Sequence, residues 1–165
     1  MKKVIFLHTH LGSNYESLLS VLESFPRFQV YKNMGPFQHP DELFKLFACK
    51  HKLDNSAAMY LHPILENHEW VSLSIRNSAK NIFYFRDPIS TLQEIKNLNY
   101  YSLRLRGLYE MAKNTKDKIV VTSDDLSKIN AYLDIDMKIS ISKLEGLGDS
   151  EIVSQYNNYI NFLMQ

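Results

Sequence analysis

At 165 residues, with 45% hydrophobic and 22% charged side chains, the sequence suits one domain that removes roughly 68–70% of its unfolded surface from water without disulfides or metals. Nineteen Lys and Arg against eighteen Asp and Glu leave a formal charge of +1, too weak a field for a general nucleic-acid or anionic-membrane binder. The single Cys49 excludes an internal disulfide framework and a multi-cysteine zinc site, and points to a reducing compartment, the cytoplasm.

Lys2 and Lys3 precede an apolar run as they would in a secretory signal, but Val4 to Leu7 is only four residues long before His8 ends it, against about 7–15 in a signal. An unbroken run of this kind predicts a central strand covered on both faces. Leu18, Leu19, Leu22 and Phe25 then recur at helical spacing up to Pro26. Phe28 to Tyr31 predicts a second strand, followed by a Gly35-Pro36 turn and a helix from about Pro40 with Leu43, Phe44, Phe47 and Cys49 on its apolar face. Asp41 and Glu42 fall in its first turn, where the helix dipole favours them. A third strand is expected over Ala57 to Leu61, ending at His62-Pro63, and a fourth over Ile82 to Phe85, ending at Arg86-Asp87-Pro88. There Asp87 is placed to cap, and Pro88 to open, a helix reaching Lys113. Ile119 to Val121 predicts a fifth strand, Ser123 to Leu133 a short helix, and Ser150 to Met164 a closing helix that buries Ile152, Val153, Tyr156, Tyr159, Ile160 and Leu163. No repeat, low-complexity tract or linker interrupts this series, so residues 1–165 are expected to form a single domain. No stretch approaches the roughly 18 apolar residues of a membrane span, and a soluble protein is expected.

Strands alternating with helices predict a three-layer α/β/α domain around a central, mostly parallel five-stranded sheet. Ligands in such domains bind beyond the carboxyl ends of the strands. Three loops follow predicted strands with polar residues: His8 to Asn14, His62-Pro63 and Arg86-Asp87-Pro88. In the first, Gly12 permits close approach of a phosphate, and the N–H groups of Ser13 and Asn14 are expected to point outward at a helix start. The alternative is that Ser13 or Asn14 simply caps the helix. The loop lacks the second Gly and the Lys of a Walker A sequence. Arg86 offers a fixed fork suited to bidentate phosphate binding, the alternative being a structural bridge to Asp124 or Asp125. Arg104 and Arg106, with Tyr100, Tyr101 and Tyr109 around them, read as an aromatic core stripe with the arginines on the solvated side. His8, His39, His51 and His68 show no paired ligand spacing, so no metal is expected.

The run Asn81-Ile82-Phe83-Tyr84-Phe85-Arg86-Asp87-Pro88, the His62-Pro63 strand end about twenty residues before it and the N-terminal Gly12-Ser13 loop together resemble the sulfotransferase family. Ile119 to Leu126, with Asp124-Asp125-Leu126 after a strand, is similar to the family's strand followed by an acidic-Asp-Leu step. Gly146-Leu147-Gly148 is similar to its nucleotide-covering glycine segment. The resemblance covers most of the chain in order and implies a P-loop-like α/β fold with 3′-phosphoadenosine 5′-phosphosulfate (PAPS) as sulfuryl donor. It implies that Gly12, Ser13 and Asn14 hold the 5′-phosphosulfate, that Arg86 holds the 3′-phosphate, and that His62 takes the acceptor's proton, with Glu66 as the alternative base.

Three departures accompany the resemblance. Where the family carries Lys or Arg in its first loop, this chain has His10 or Leu11, so a protonated His10 or the loop N–H groups must stabilise the leaving 5′-phosphate. The Ser that the family has eight residues after the Arg is Glu94 here, leaving Ser90 and Thr91, one turn earlier, as phosphate donors. The Lys that precedes the family's base is replaced by Tyr60 or Leu61. The expected activity is in-line sulfuryl transfer to a small-molecule or glycan acceptor, with no metal and with neither nucleic acid nor membrane as partner. Noncatalytic binding of a nucleotide or partner on the same fold is one alternative. A nucleotide-dependent kinase is another, disfavoured by the missing Walker lysine.

Overall fold

The computed structural model describes residues 4–31, 59–65 and 76–165. In chain order these form β1 (Val4–His8), α1 (Tyr15–Glu23), β2 (Phe28–Val30), β3 (Met59–Ile64), β4 (Lys80–Phe85), α2 (Pro88–Glu94), α3 (Leu98–Asn114), β5 (Lys118–Thr122), α4 (Lys128–Leu133) and α5 (Ser150–Leu163). The predicted Gly35-Pro36 turn and the helix from Pro40 lie outside the described residues, as do His39, His51, Glu66 and His68.

The five strands pair in the order β2-β3-β1-β4-β5, and every pair is parallel. The period-2 alternation of side chains turns successive residues to opposite faces of the sheet, and in β4 and β5 both faces meet described helices. Ile5, Leu7, Ile82, Tyr84 and Val121 pack with Leu18, Leu19 and Leu22 of α1 and Ile129 and Leu133 of α4. Phe83, Phe85 and Val120 face the other way, onto Tyr101, Leu105 and Leu108 of α3 and Ile152 of α5. The chain is therefore an α/β domain with helices on both faces of a parallel sheet, as its alternating pattern predicts. Among the described residues no helix is long and apolar enough to cross a membrane.

Three elements depart from expectation. Strand β3 continues through His62 and Pro63 to Ile64 instead of ending before them. A proline inside a covered strand normally costs a ladder bond. Here the Met59 N–H donates to the Arg27 carbonyl and the Leu61 carbonyl accepts from the Tyr31 N–H. Pro63, two residues on, thus faces the same side, past the last β2–β3 pair of Val30 with Leu61.

The single helix expected from Pro88 to Lys113 is two. Ile95 takes an extended conformation at the end of α2, and α3 restarts behind Asn97, whose side chain accepts from the Tyr100 N–H. The helix expected from Ser123 begins only at Lys128, because Asp125 Oδ1 accepts from the Thr122 N–H and hydroxyl and holds the preceding residues in turns.

A candidate anion site at the carboxyl edge of the sheet

Strand β1 lies between β3 and β4. The chain leaves β1 toward β2 and β3 but leaves β4 toward β5, so connections diverge between β1 and β4, which is the switch point where open α/β sheets bind ligands. The loop after β1 and the Arg86 loop after β4 meet there.

Arg86 is 1% exposed and joins three segments. Its Nη1 donates to the Gly12 carbonyl at 2.8 Å and pairs with Glu94 Oε1 at 2.8 Å. Its Nη2 donates to the Ser142 carbonyl at 3.1 Å, and its Nε–H is buried with no hydrogen-bond partner. The expected alternative of a bridge to Asp124 or Asp125 is not what forms: Asp124 pairs with Lys143, Asp125 with Lys128, and Arg86 with Glu94.

The first loop is held tightly. Gly12 has φ +79°, and a Cβ there would lie 3.1 Å from Ile95 Cγ1 and 3.3 Å from Thr91 Cγ2. Only glycine combines that conformation with that packing. Asn14 also takes the left-handed conformation, with no side-chain cap bond to α1; its Oδ1 accepts instead from the Ser17 hydroxyl. The Ser13 N–H, expected to face outward, donates to the His10 carbonyl, because the loop closes on itself as a turn. The Ser13 carbonyl accepts from the Tyr84 hydroxyl, and the Ser13 hydroxyl is buried without a partner.

His10 is held as a neutral hydrogen-bonding residue of the loop. It is fully buried, its Nδ1–H donates to the Leu11 carbonyl, and its Nε2 accepts from the Arg86 backbone N–H at 3.3 Å. Desolvation, outweighing the bond to Leu11 and reinforced by Arg104 and Arg86, lowers its pKa from 6.5 to about 4. This burial opposes the expected protonated His10.

His8 is neutral for the same first reason, with its pKa lowered to about 3. It stacks on Phe83 and bonds to Asn81.

Ser90 and Thr91 lie on α2 beside Arg86 and are fully buried. The Ser90 hydroxyl accepts from the Leu144 N–H at 2.7 Å, while the Thr91 hydroxyl donates to the Asp87 carbonyl at 2.9 Å. Asp87 caps α2 through the Ser90 N–H, as predicted. Residues 135–149 cross this region as a strap. Met137 and Ile141 anchor it in the core, Ser142 and Leu144 bond to Arg86 and Ser90, and Gly146 lies so close to Gln93 that a Cβ would collide with it.

His62 is part of β3 and not of a loop after it. It lies mid-strand opposite Phe6, 2% exposed, with its ring stacked on Tyr31 at a centroid separation of 4.6 Å.

Two contributors go beyond the expected set. One is the part of the strap before the expected Gly146-Leu147-Gly148 segment, where Ser142 and Leu144 bond to Arg86 and Ser90. The other is Arg104, placed by the sequence on the solvated side, which donates to the Thr9 carbonyl at 3.3 Å. Its signal was present: residue 104 lies three after buried Tyr101 and four before buried Leu108, inside the apolar stripe and not opposite it.

No known family pattern matches the sequence, and no curated protein matches it. In structure the chain is similar to mouse sulfotransferase SULT7A1, solved in complex with PAP, with a TM-score of 0.54 at 16% identity. The likeness covers 99% of this chain and 66% of that protein, so this chain spans about two thirds of its length. The chain has a sulfotransferase-like fold.

Proposed function

We propose that this chain binds a phosphorylated adenosine nucleotide across the β1 and β4 loops and transfers a sulfuryl group from PAPS to a hydroxyl or amine. The observation that carries the reading is unmet polar capacity at the switch point: the Arg86 Nε–H and the Ser13 hydroxyl are both buried without partners. A buried polar group left unpaired costs about 1–3 kcal/mol, a cost that a ligand oxygen would offset. The residues fit an oxyanion in this respect, and Ser90, whose hydroxyl keeps its own proton to donate while accepting from Leu144, adds to the set. Arg86, Ser90 and Thr91 are assigned to the 3′-phosphate. Gly12, Ser13 and Asn14 are assigned to the 5′-phosphate, with Arg104 supplying the nearby positive charge that neutral His10 does not.

His62 is assigned as the base. It takes the proton of the acceptor as the acceptor's oxygen or nitrogen bonds to sulfur, and the bond from sulfur to the bridging oxygen breaks to release adenosine 3′,5′-bisphosphate. The acceptor class is a small molecule or glycan.

Noncatalytic nucleotide binding on the same fold is the second reading, favoured by a neutral His10 and by the carboxylate already seated on Arg86. Thermal shift with adenosine 3′,5′-bisphosphate, with ATP and magnesium, and without ligand tests the binding step. Stabilisation by the bisphosphate is expected, and its absence refutes both readings. Acceptor-dependent release of the bisphosphate from PAPS, lost in His62→Gln, then separates transfer from binding.

A further inference from the structure

We propose that Glu94 sets which nucleotides the site accepts, by competing with the ligand's own anionic group for Arg86; this rests on the nucleotide-binding reading above. The two partners differ sharply in freedom. Arg86 is 1% exposed and tied to the Gly12 and Ser142 carbonyls, whereas the Glu94 side chain is 43% exposed. The guanidinium is the fixed element, and the carboxylate can swing into water.

Helix energetics do not account for the acid. Glu94 is the last residue of α2, where the negative end of the helix dipole opposes a carboxylate. Its partner is Arg86, and the pair brings the local charge to zero. A ribose 3′-phosphate arriving there meets a neutral pair and must displace Glu94 or face it as a like charge.

A free ribose hydroxyl meets no such barrier. It can accept from the unpartnered Arg86 Nε–H and donate to the Glu94 carboxylate, the same division by which a carboxylate selects a ribose hydroxyl and an arginine selects a ribose phosphate in dinucleotide-binding folds. The wild-type protein should therefore distinguish poorly between 3′-phosphorylated and 3′-hydroxyl nucleotides. Removing the carboxylate should restore selection for the phosphate.

Calorimetric titration of adenosine 3′,5′-bisphosphate and adenosine 5′-phosphate into wild type, Glu94→Gln and Glu94→Ser tests this. Because Glu94 is partly exposed, both variants are expected to fold, and their melting curves check it. The bisphosphate should tighten by roughly 10- to 100-fold in both variants, the range of one charged hydrogen bond, while the monophosphate changes by less than about threefold on the same scale. If both nucleotides bind but their affinity ratio is the same in all three proteins, Glu94 does not select the ligand and the proposal is overturned. If neither nucleotide binds the wild type, the nucleotide-binding reading falls first and the proposal with it.

Discussion

Replacing Arg86 with alanine removes one side chain from three separate segments, which makes its energetic cost calculable. The guanidinium donates to the Gly12 carbonyl in the β1 loop and to the Ser142 carbonyl in the strap, and pairs with Glu94 at the end of α2. Each charged hydrogen bond contributes about 1.5–3 kcal/mol. Glu94 is exposed enough to recover hydration, and the two carbonyls are only partly buried, so the total stays toward the lower end of the roughly 3–5 kcal/mol expected when one member of a buried pair is removed.

A loss of about 3–4 kcal/mol corresponds to a fall in melting temperature of roughly 6–16 °C for a chain of this length. Arg86→Lys keeps the charge but presents one ammonium to acceptors on three segments, so it should restore less than half of the loss, about 1–1.5 kcal/mol. Urea unfolding followed by circular dichroism measures both variants, and hydrogen exchange at residues 142–146 should accelerate in the alanine variant as the strap loosens. A loss under about 1 kcal/mol, with unchanged exchange in the strap, would refute the reasoning, because it would mean that water replaces all three contacts at no cost.

Four other substitutions have defined outcomes. His8 and His10 are held neutral, with pKa values of about 3 and about 4, against about 6.5 in an unfolded chain. Between those values the unfolded state binds more protons, so their contribution is complete above about pH 6.5. It falls on acidification by up to about 1.4 kcal/mol per pH unit for each histidine. Urea titrations at pH 7, 6 and 5 should show His10→Gln less acid-sensitive than wild type, and equal slopes would show that His10 is hydrated. Gly12→Ala should cost about 2–4 kcal/mol, from left-handed backbone strain and from the contact with Ile95. Asn14→Gly, at φ 57°, should remain within about 0.5 kcal/mol of wild type, because glycine removes strain there while adding chain entropy; thermal melts of the two would show the contrast. Ser90→Ala takes the acceptor from the Leu144 N–H and should cost about 0.5–1.5 kcal/mol, with faster amide exchange at Leu144 as its local signature.

The sheet was legible because its strands are nearly pure apolar runs, and a run covered on both faces has no other stable place in a domain of this size. Ile5, Leu7, Ile82 and Tyr84 point to one helical layer and Phe83 and Phe85 to the other. What failed were boundaries decided by single residues. Pro63 looked like a strand end, but it is tolerated because β2 stops short of it. Leu92 and Ile95 continue the apolar periodicity across the break between α2 and α3, where Asn97 was the available signal as a cap.

The placement of Arg86 and Gly12 at the carboxyl edge of the sheet was legible, and the charge of their surroundings was not. Strand ends and a glycine loop located Arg86 and Gly12 correctly relative to the sheet, since both follow from chain order. Protonation does not follow from chain order. His10 looked like a replacement cation because the unperturbed imidazole titrates near neutrality, but the tertiary fold encloses it between Leu11, Arg86 and Tyr101. Two neighbouring arginines then make a third positive charge costly. Glu94 stands where the resemblance expects a Ser, and its direct pairing with Arg86 depends on α2 ending at residue 94. Among the described residues, Arg86 and Arg104 bring positive charge to this edge, one paired with a carboxylate and the other bonded to the Thr9 carbonyl. An anion arriving here would compete for both guanidinium groups with acceptors that the protein itself supplies.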